Sequence, residues 1–113
     1  MKRKTVIYIV GASTNVDRPF ESFEAMEEKL AGLGYVALSP LRLPSGLTAL
    51  QRLLICSEMI EQSDAVLEMP GWSLCAAACY DYGYAMEHFK PSLIFKDIEA
   101  LSMKVPTWQE VEL

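Results

Sequence analysis

Asp81 stands in PGWSLCAAACYDYGYAMEH, residues 70–88, where a tight turn leads into a helix-like run of alanines, cysteines and tyrosines. With a helix starting near Ala76, Asp81 falls in its second turn, and Ala77, Ala78 and Ala85 share its broad side at helical spacings. Small neighbours leave a hollow, and a carboxylate beside a hollow at the ligand end of a sheet serves as a nucleophile or a base. The competing reading, a solvated helix aspartate near a positive dipole end, fits the same residues.

Other candidates are weaker alone. GASTN after the first apolar run offers Gly11, Ser13, Thr14 and Asn15, small or polar groups that suit a sugar or a phosphate; an ordinary polar connection fits equally. GxGxxG and GxxxxGK[ST] are both absent, which argues against a dinucleotide or P-loop site. G-x-S-x-G is absent too, and His88, the only histidine, lies late in its helix, where the dipole favours a capping or exposed role. Cys56, Cys75 and Cys79 make an odd count and read as reduced thiols packed as small hydrophobes, or else as a reactive cluster lining the site. With one histidine and no second cysteine pair, no zinc site is expected. Trp72 reads either as a platform for a base or as a turn residue packed over the helix.

The elements that must hold these residues follow from hydrophobic period and punctuation. TVIYIV, residues 5–10, reads as a buried strand. Pro19 opens a helix with Phe20, Phe23, Met26, Leu30 and Leu33 on one stripe, and Gly34 ends it. YVALSP is a second strand. Residues 47–62 form a helix carrying Leu47, Leu50, Leu53, Leu54, Met59 and Ile60. DAVLEM is a third strand, PGW a turn, 76–89 a third helix and PSLIFK a fourth strand. Strictly alternating strands and helices, with continuously apolar strands, predict an α/β domain: a flavodoxin-like or Rossmann-like three-layer sandwich with a parallel sheet of four or five strands. Ligands in such sheets bind beyond the carboxyl ends of the strands, where GASTNVDR, PLRLPSG and PGWSLC converge. The core is expected over residues 5–95, with 96–113 an adjunct that holds a helical turn or short strand and packs on a neighbouring subunit.

Composition sets outer bounds. The 113 residues suit one domain, and 51% hydrophobic with 22% charged residues fits a globular chain. A net charge of −5, with basic residues clustered only at Lys2, Arg3 and Lys4, argues against polymeric nucleic acid as a partner. The longest apolar runs fall short of a membrane span, and no signal-peptide cleavage site follows the first one. The expected location is the cytoplasm.

The succession YIVGAS, GYVALSP, SDAVLEMPGW and AAACYDYGYAMEHFKPSLIF resembles the nucleoside 2-deoxyribosyltransferase-like superfamily, over about residues 5–95. It is most similar to small bacterial and phage members with a PGW turn before the nucleophile helix. The superfamily also includes deoxynucleotide N-glycosidases. The resemblance implies that Asp81 takes the position of a helix glutamate that attacks the anomeric carbon of a deoxyribose and expels the base. It further implies that Tyr8 holds that nucleophile by a hydrogen bond, and that Gly11 opens the loop approaching the sugar or phosphate. Asp64, at the start of the third strand, matches a common family aspartate, although a helix-to-strand turn residue is the better reading of it. Three positions depart from the pattern: Cys75 stands where the family has Asp or Ser, Ala77 where it has Gly, and Cys56 where it has an acidic residue that helps hold the base.

Two functions are therefore expected. One is an N-glycosidase or deoxyribosyltransferase acting on a nucleoside or nucleotide through Asp81 and Tyr8, with Gly11, Ser13, Trp72, Cys75, Cys56 and Asp64 as substrate-binding residues and no cofactor. The other is a catalytically inactive nucleotide-binding or interaction module on the same scaffold. The resemblance also implies a homo-oligomer, because pockets of this family are commonly completed by a neighbouring subunit.

Overall fold

In the computed structural model, which describes residues 1–14 and 17–112, the apolar run Val6–Val10 is the strand around which the others assemble (β2), preceded by a short strand at Lys2–Lys4 (β1). A strand has a side-chain period of two. Ile7 and Ile9 accordingly enter one core cluster, while Tyr8 and Val10 enter another on the opposite face. Helix α1, Pro19–Gly32, sends Phe23 and Leu30 into the first cluster. Pro19 sits in its first turn, where a missing N–H costs nothing. The helix ends in a Schellman turn: the Gly34 N–H donates to Ala31 O at 3.0 Å and the Tyr35 N–H to Leu30 O at 3.1 Å. Gly34 has φ 98°, a left-handed conformation that glycine adopts without steric cost.

Strand β3 covers Val36–Leu38, helix α2 Ala49–Glu61, strand β4 Ala65–Glu68, helix α3 Ala76–His88 and strand β5 Ile94–Phe95. Thr48 caps α2 reciprocally with Gln51: its hydroxyl accepts from the Gln51 N–H at 3.1 Å, and Gln51 Oε1 accepts from the Thr48 N–H at 2.9 Å. The main sheet runs β3-β2-β4-β5, all parallel. Layers of helices cover both faces, giving the expected flavodoxin-like three-layer α/β sandwich with four strands in the parallel sheet. After β3 the chain crosses β2 to reach β4, so the loops leaving β2 and β4 part at a topological switch point. Ligands of open α/β sheets bind in the crevice this creates.

The segment after Lys96 differs from the expected adjunct. Residues Ile98–Lys104 form helix α4, capped by Asp97, and Trp108–Glu110 form strand β6, which pairs antiparallel with β1. Leu101 and Val105 belong to the first core cluster, and the Tyr35 hydroxyl donates to Val105 O at 2.6 Å. The tail packs on its own chain, where it completes the helix layer beside α1. Its sparse apolar residues carry it because Leu101 and Val105 enter the core, with Ile98 and Ala100 packed against it.

The stripe on α2 also differs. Leu50 and Leu54 face outward, 65% and 58% exposed, while Cys56, Ser57 and Ile60 are buried. Helical spacing alone admits either stripe, and packing against α3 and the sheet selects the one with fewer leucines.

Candidate active site

Asp81 is buried, 3% exposed, and forms the core-facing stripe of α3 together with Ala78 and Ala85. The solvated-aspartate reading is therefore set aside. Ala77, expected on the same side, is exposed and contributes to the wall of the pocket instead. From the centre of β2, Tyr8 projects into the same layer and its hydroxyl donates to Asp81 Oδ2 at 2.9 Å. Asp81 Oδ1 is buried with no hydrogen-bond partner. Burial raises the Asp81 carboxyl to about 6 and outweighs the Tyr8 hydrogen bond, which acts in the opposite direction. Burial, then the charge of Asp81, holds the Tyr8 phenol far above its ordinary range. Tyr8 thus keeps its proton and serves as a donor to the carboxylate.

A pocket of about 530 Å³ opens over this pair, at the carboxyl ends of β2 and β3. Its walls come from four places: Gly11 and Ser13 after β2, Pro40 after β3, the inner side of α2 including Arg52 and Cys56, and the first turns of α3 with Ala76, Ala77 and Asp81. Tyr8 lies beneath Asp81 and off the pocket wall. Gly11 is close-packed from behind: a Cβ there would come within 2.9 Å of both Met69 Sδ and Phe23 Cζ. Cys56 is buried one helical turn after Arg52, and burial pushes its thiol up, so it presents a neutral S–H beside the Tyr8–Asp81 pair.

Cys75 occupies the N-cap of α3 and is buried. The Thr14 hydroxyl donates to its sulfur at 3.5 Å, and the Ser13 hydroxyl lies 3.8 Å away. Burial on its own would raise this thiol. Thr14, the backbone N–H groups of Ala78 and Ser13, and the Ser13 hydroxyl overcome that and bring it down to about 6. Cys75 buttresses the Ser13 loop and is not on the pocket wall.

Two expected site residues lie elsewhere. Asp64 is at the amino end of β4, the opposite end of the sheet, where Arg3 donates to both its oxygens at 2.6 and 2.7 Å and the Val6 N–H donates at 2.8 Å. It ties the helix-to-strand turn to β1 and β2 and takes no part in the pocket. Trp72 stacks on Tyr82 with ring centroids 4.0 Å apart, and its indole N–H donates to Glu68 at 3.3 Å. This places it on the far flank of α3. Asn15 falls outside the described residues. His88 is exposed at the end of α3, edge-on to Phe89.

Arg52 is a charged pocket residue that the sequence reading passed over. The signal was present: Arg52, Cys56 and Ile60 recur every four residues, so an arginine stands on the stripe that leads to a buried isoleucine. Its guanidinium also donates to Pro44 O at 3.4 Å. Among the described residues no three His, Cys, Asp or Glu side chains converge as metal ligands would, and no helix is long and apolar enough to cross a membrane.

Comparison with curated proteins and with solved structures finds no match. Residues 5–93 match the model of a family described as a domain of unknown function, DUF4406. That span runs from the start of β2 to the turn before β5 and includes every element around the pocket. The chain belongs to the DUF4406 family.

Proposed function

We propose that this protein cleaves or transfers the N-glycosidic bond of a nucleoside or nucleotide, with Asp81 as nucleophile and Tyr8 as the residue that orients it. One observation carries the reading: a buried carboxylate beside a ligand-sized pocket has one oxygen held by a permanent donor and the other without a partner. The volume lies within the range of small-molecule sites, about 300–1,000 Å³. A carboxyl raised to about 6 is mostly ionised at neutral pH, yet more basic than an ordinary aspartate, as a nucleophile requires.

In this mechanism Asp81 Oδ1 bonds to the anomeric carbon while the C–N bond breaks and its electron pair leaves with the base, which takes a proton from water. The resulting glycosyl ester is then opened by water, giving free sugar, or by a second base, giving transfer. The Arg52 guanidinium offers charge for an anionic substituent on the sugar. Incubation with a panel of deoxynucleosides and their 5′-monophosphates, with free base followed by chromatography, tests the proposal. Release by the native protein and none by Asp81→Asn supports it; equal release by both, or none by either, refutes it.

A second reading is a binding module without turnover. It is favoured by the pocket wall itself, on which Asp81 is the sole carboxylate among the described residues, so that no acid side chain stands ready to protonate a leaving base. Thermal stabilisation by nucleosides without base release would select it. Both readings accommodate a second copy of the chain against α2, where Leu50 and Leu54 are exposed beside the pocket-lining Ala49 and Leu53. Light scattering tests this, and a monomer would remove it.

A further inference from the structure

Glu68 ends β4 with its side chain buried, 8% exposed. The Trp72 indole N–H occupies Oε1 at 3.3 Å, while Oε2 is buried without a hydrogen-bond partner. A carboxylate oxygen left in that condition is costly unless something pairs with it. Glu68 lines a separate cavity of about 130 Å³ on the flank of α3 away from Asp81, between that helix and the start of β5, with Tyr82, Met86, Phe89 and Ile94 on its walls and Lys96 at its edge.

We propose that this cavity is a second binding site, for a short primary alkylammonium ion, with Glu68 as its counter-charge. Three features select that chemistry. The size admits a few heavy atoms, about four water volumes, and excludes a nucleoside. The free acceptor is a single oxygen, because Trp72 holds the other. A point-like ammonium fits it, whereas a guanidinium needs two parallel acceptors for its fork. The walls are aromatic and aliphatic, matching a cation with a short alkyl tail: the Tyr82 ring, already stacked on Trp72, lines the cavity, and its hydroxyl is in hydrogen-bonding reach of the Glu68 carboxylate, which holds that phenol up after the larger effect of burial. No ion pair joins Lys96 to Glu68, so the chain's own cation does not pair with the carboxylate. The site is independent of Asp81 and of any glycosidase activity.

Titration of the ¹⁵N-labelled protein with n-propylammonium chloride, with guanidinium chloride as control at matched ionic strength, tests the site through the Trp72 indole N–H resonance. The expected result is a saturable shift with propylammonium, an at least fivefold weaker response to guanidinium, loss of the shift in Glu68→Gln, and equal or tighter binding in Lys96→Met. No saturable shift in the native protein overturns the proposal, as does an equal response to both cations. A response that appears only in Lys96→Met also overturns it, since Lys96 itself would then fill the site in solution. If Glu68→Gln fails to fold, the comparison of the two cations on the native protein decides alone.

Discussion

The Tyr8 hydroxyl and the Asp81 carboxylate, 73 residues apart in the chain, meet at 2.9 Å in the layer between the sheet and helices α2 and α3. The bond satisfies one oxygen of a buried acid and leaves the other buried without a hydrogen-bond partner. Such a pair is expensive to keep, and its cost is measurable.

Asp81 should destabilise the native protein as pH rises. Its folded pKa, about 6, lies above the ordinary 3.8, so the folded state binds this proton more tightly than the unfolded chain does. Stability is therefore lost between about pH 4 and pH 6, by about 3 kcal/mol in total. Asp81→Asn removes the titration. Urea unfolding at pH 4 and pH 7 should show the variant gaining on the native protein by about that amount, and a gap independent of pH would show that Asp81 does not titrate here.

Tyr8→Phe removes the donor and keeps the ring. The ionised carboxylate then lacks its one hydrogen bond, so the Asp81 pKa should move further above about 6. The expected cost at pH 7 is about 1–3 kcal/mol, shrinking toward pH 4, where the acid is protonated. Carbon-13 NMR of labelled aspartate carboxyls reads the midpoint directly; an unchanged midpoint would contradict the role given to Tyr8.

Cys75 has the opposite sign. A thiol brought from 9.0 down to about 6 releases its proton more readily in the folded state, so its contribution to stability is fully present above about pH 9 and fades as pH falls through 6. Ultraviolet absorbance of the thiolate should show one of the three cysteines titrating near 6. That step should be missing in Cys75→Ala and shifted upward in Thr14→Val, where the donating hydroxyl is gone.

Gly11→Ala introduces a methyl against Met69 and Phe23 at the back of the pocket. Overpacking of this kind costs about 1–3 kcal/mol, and the melting temperature should fall by about 4 °C or more. Because Phe23 is 1% exposed in the core, it has little room to yield. An unchanged melting temperature would mean that the loop after β2 shifts to make space.

Most of the fold was legible from local pattern. Continuous apolar runs at 6–10 and 65–67, helical spacing over 76–88, Pro19 at a helix start and Gly34 past its end each act within a few residues, and each lies where the sequence puts it. The tail was not legible, because its placement rests on β1 and β6 pairing across the whole length of the chain. The turn role of Asp64 was legible from its place at a strand start, the end away from the ligand crevice, but its pairing with Arg3 was not, because the two are 61 residues apart.

The sequence by itself determined the alternating α/β order, the small-residue helix around Asp81 and, by resemblance, the pairing expected of Tyr8. Only the tertiary structure decided which stripe of each helix faces inward. That choice buries Asp81 with one oxygen unpartnered and brings Arg52 and Cys56 to the pocket, while the stack on Tyr82 holds Trp72 away from it. The physical reason is that helical and strand periods define faces relative to their own axis. Which face meets the sheet depends on registers between segments distant in the chain, and the carboxyl-end crevice exists only once those registers are set.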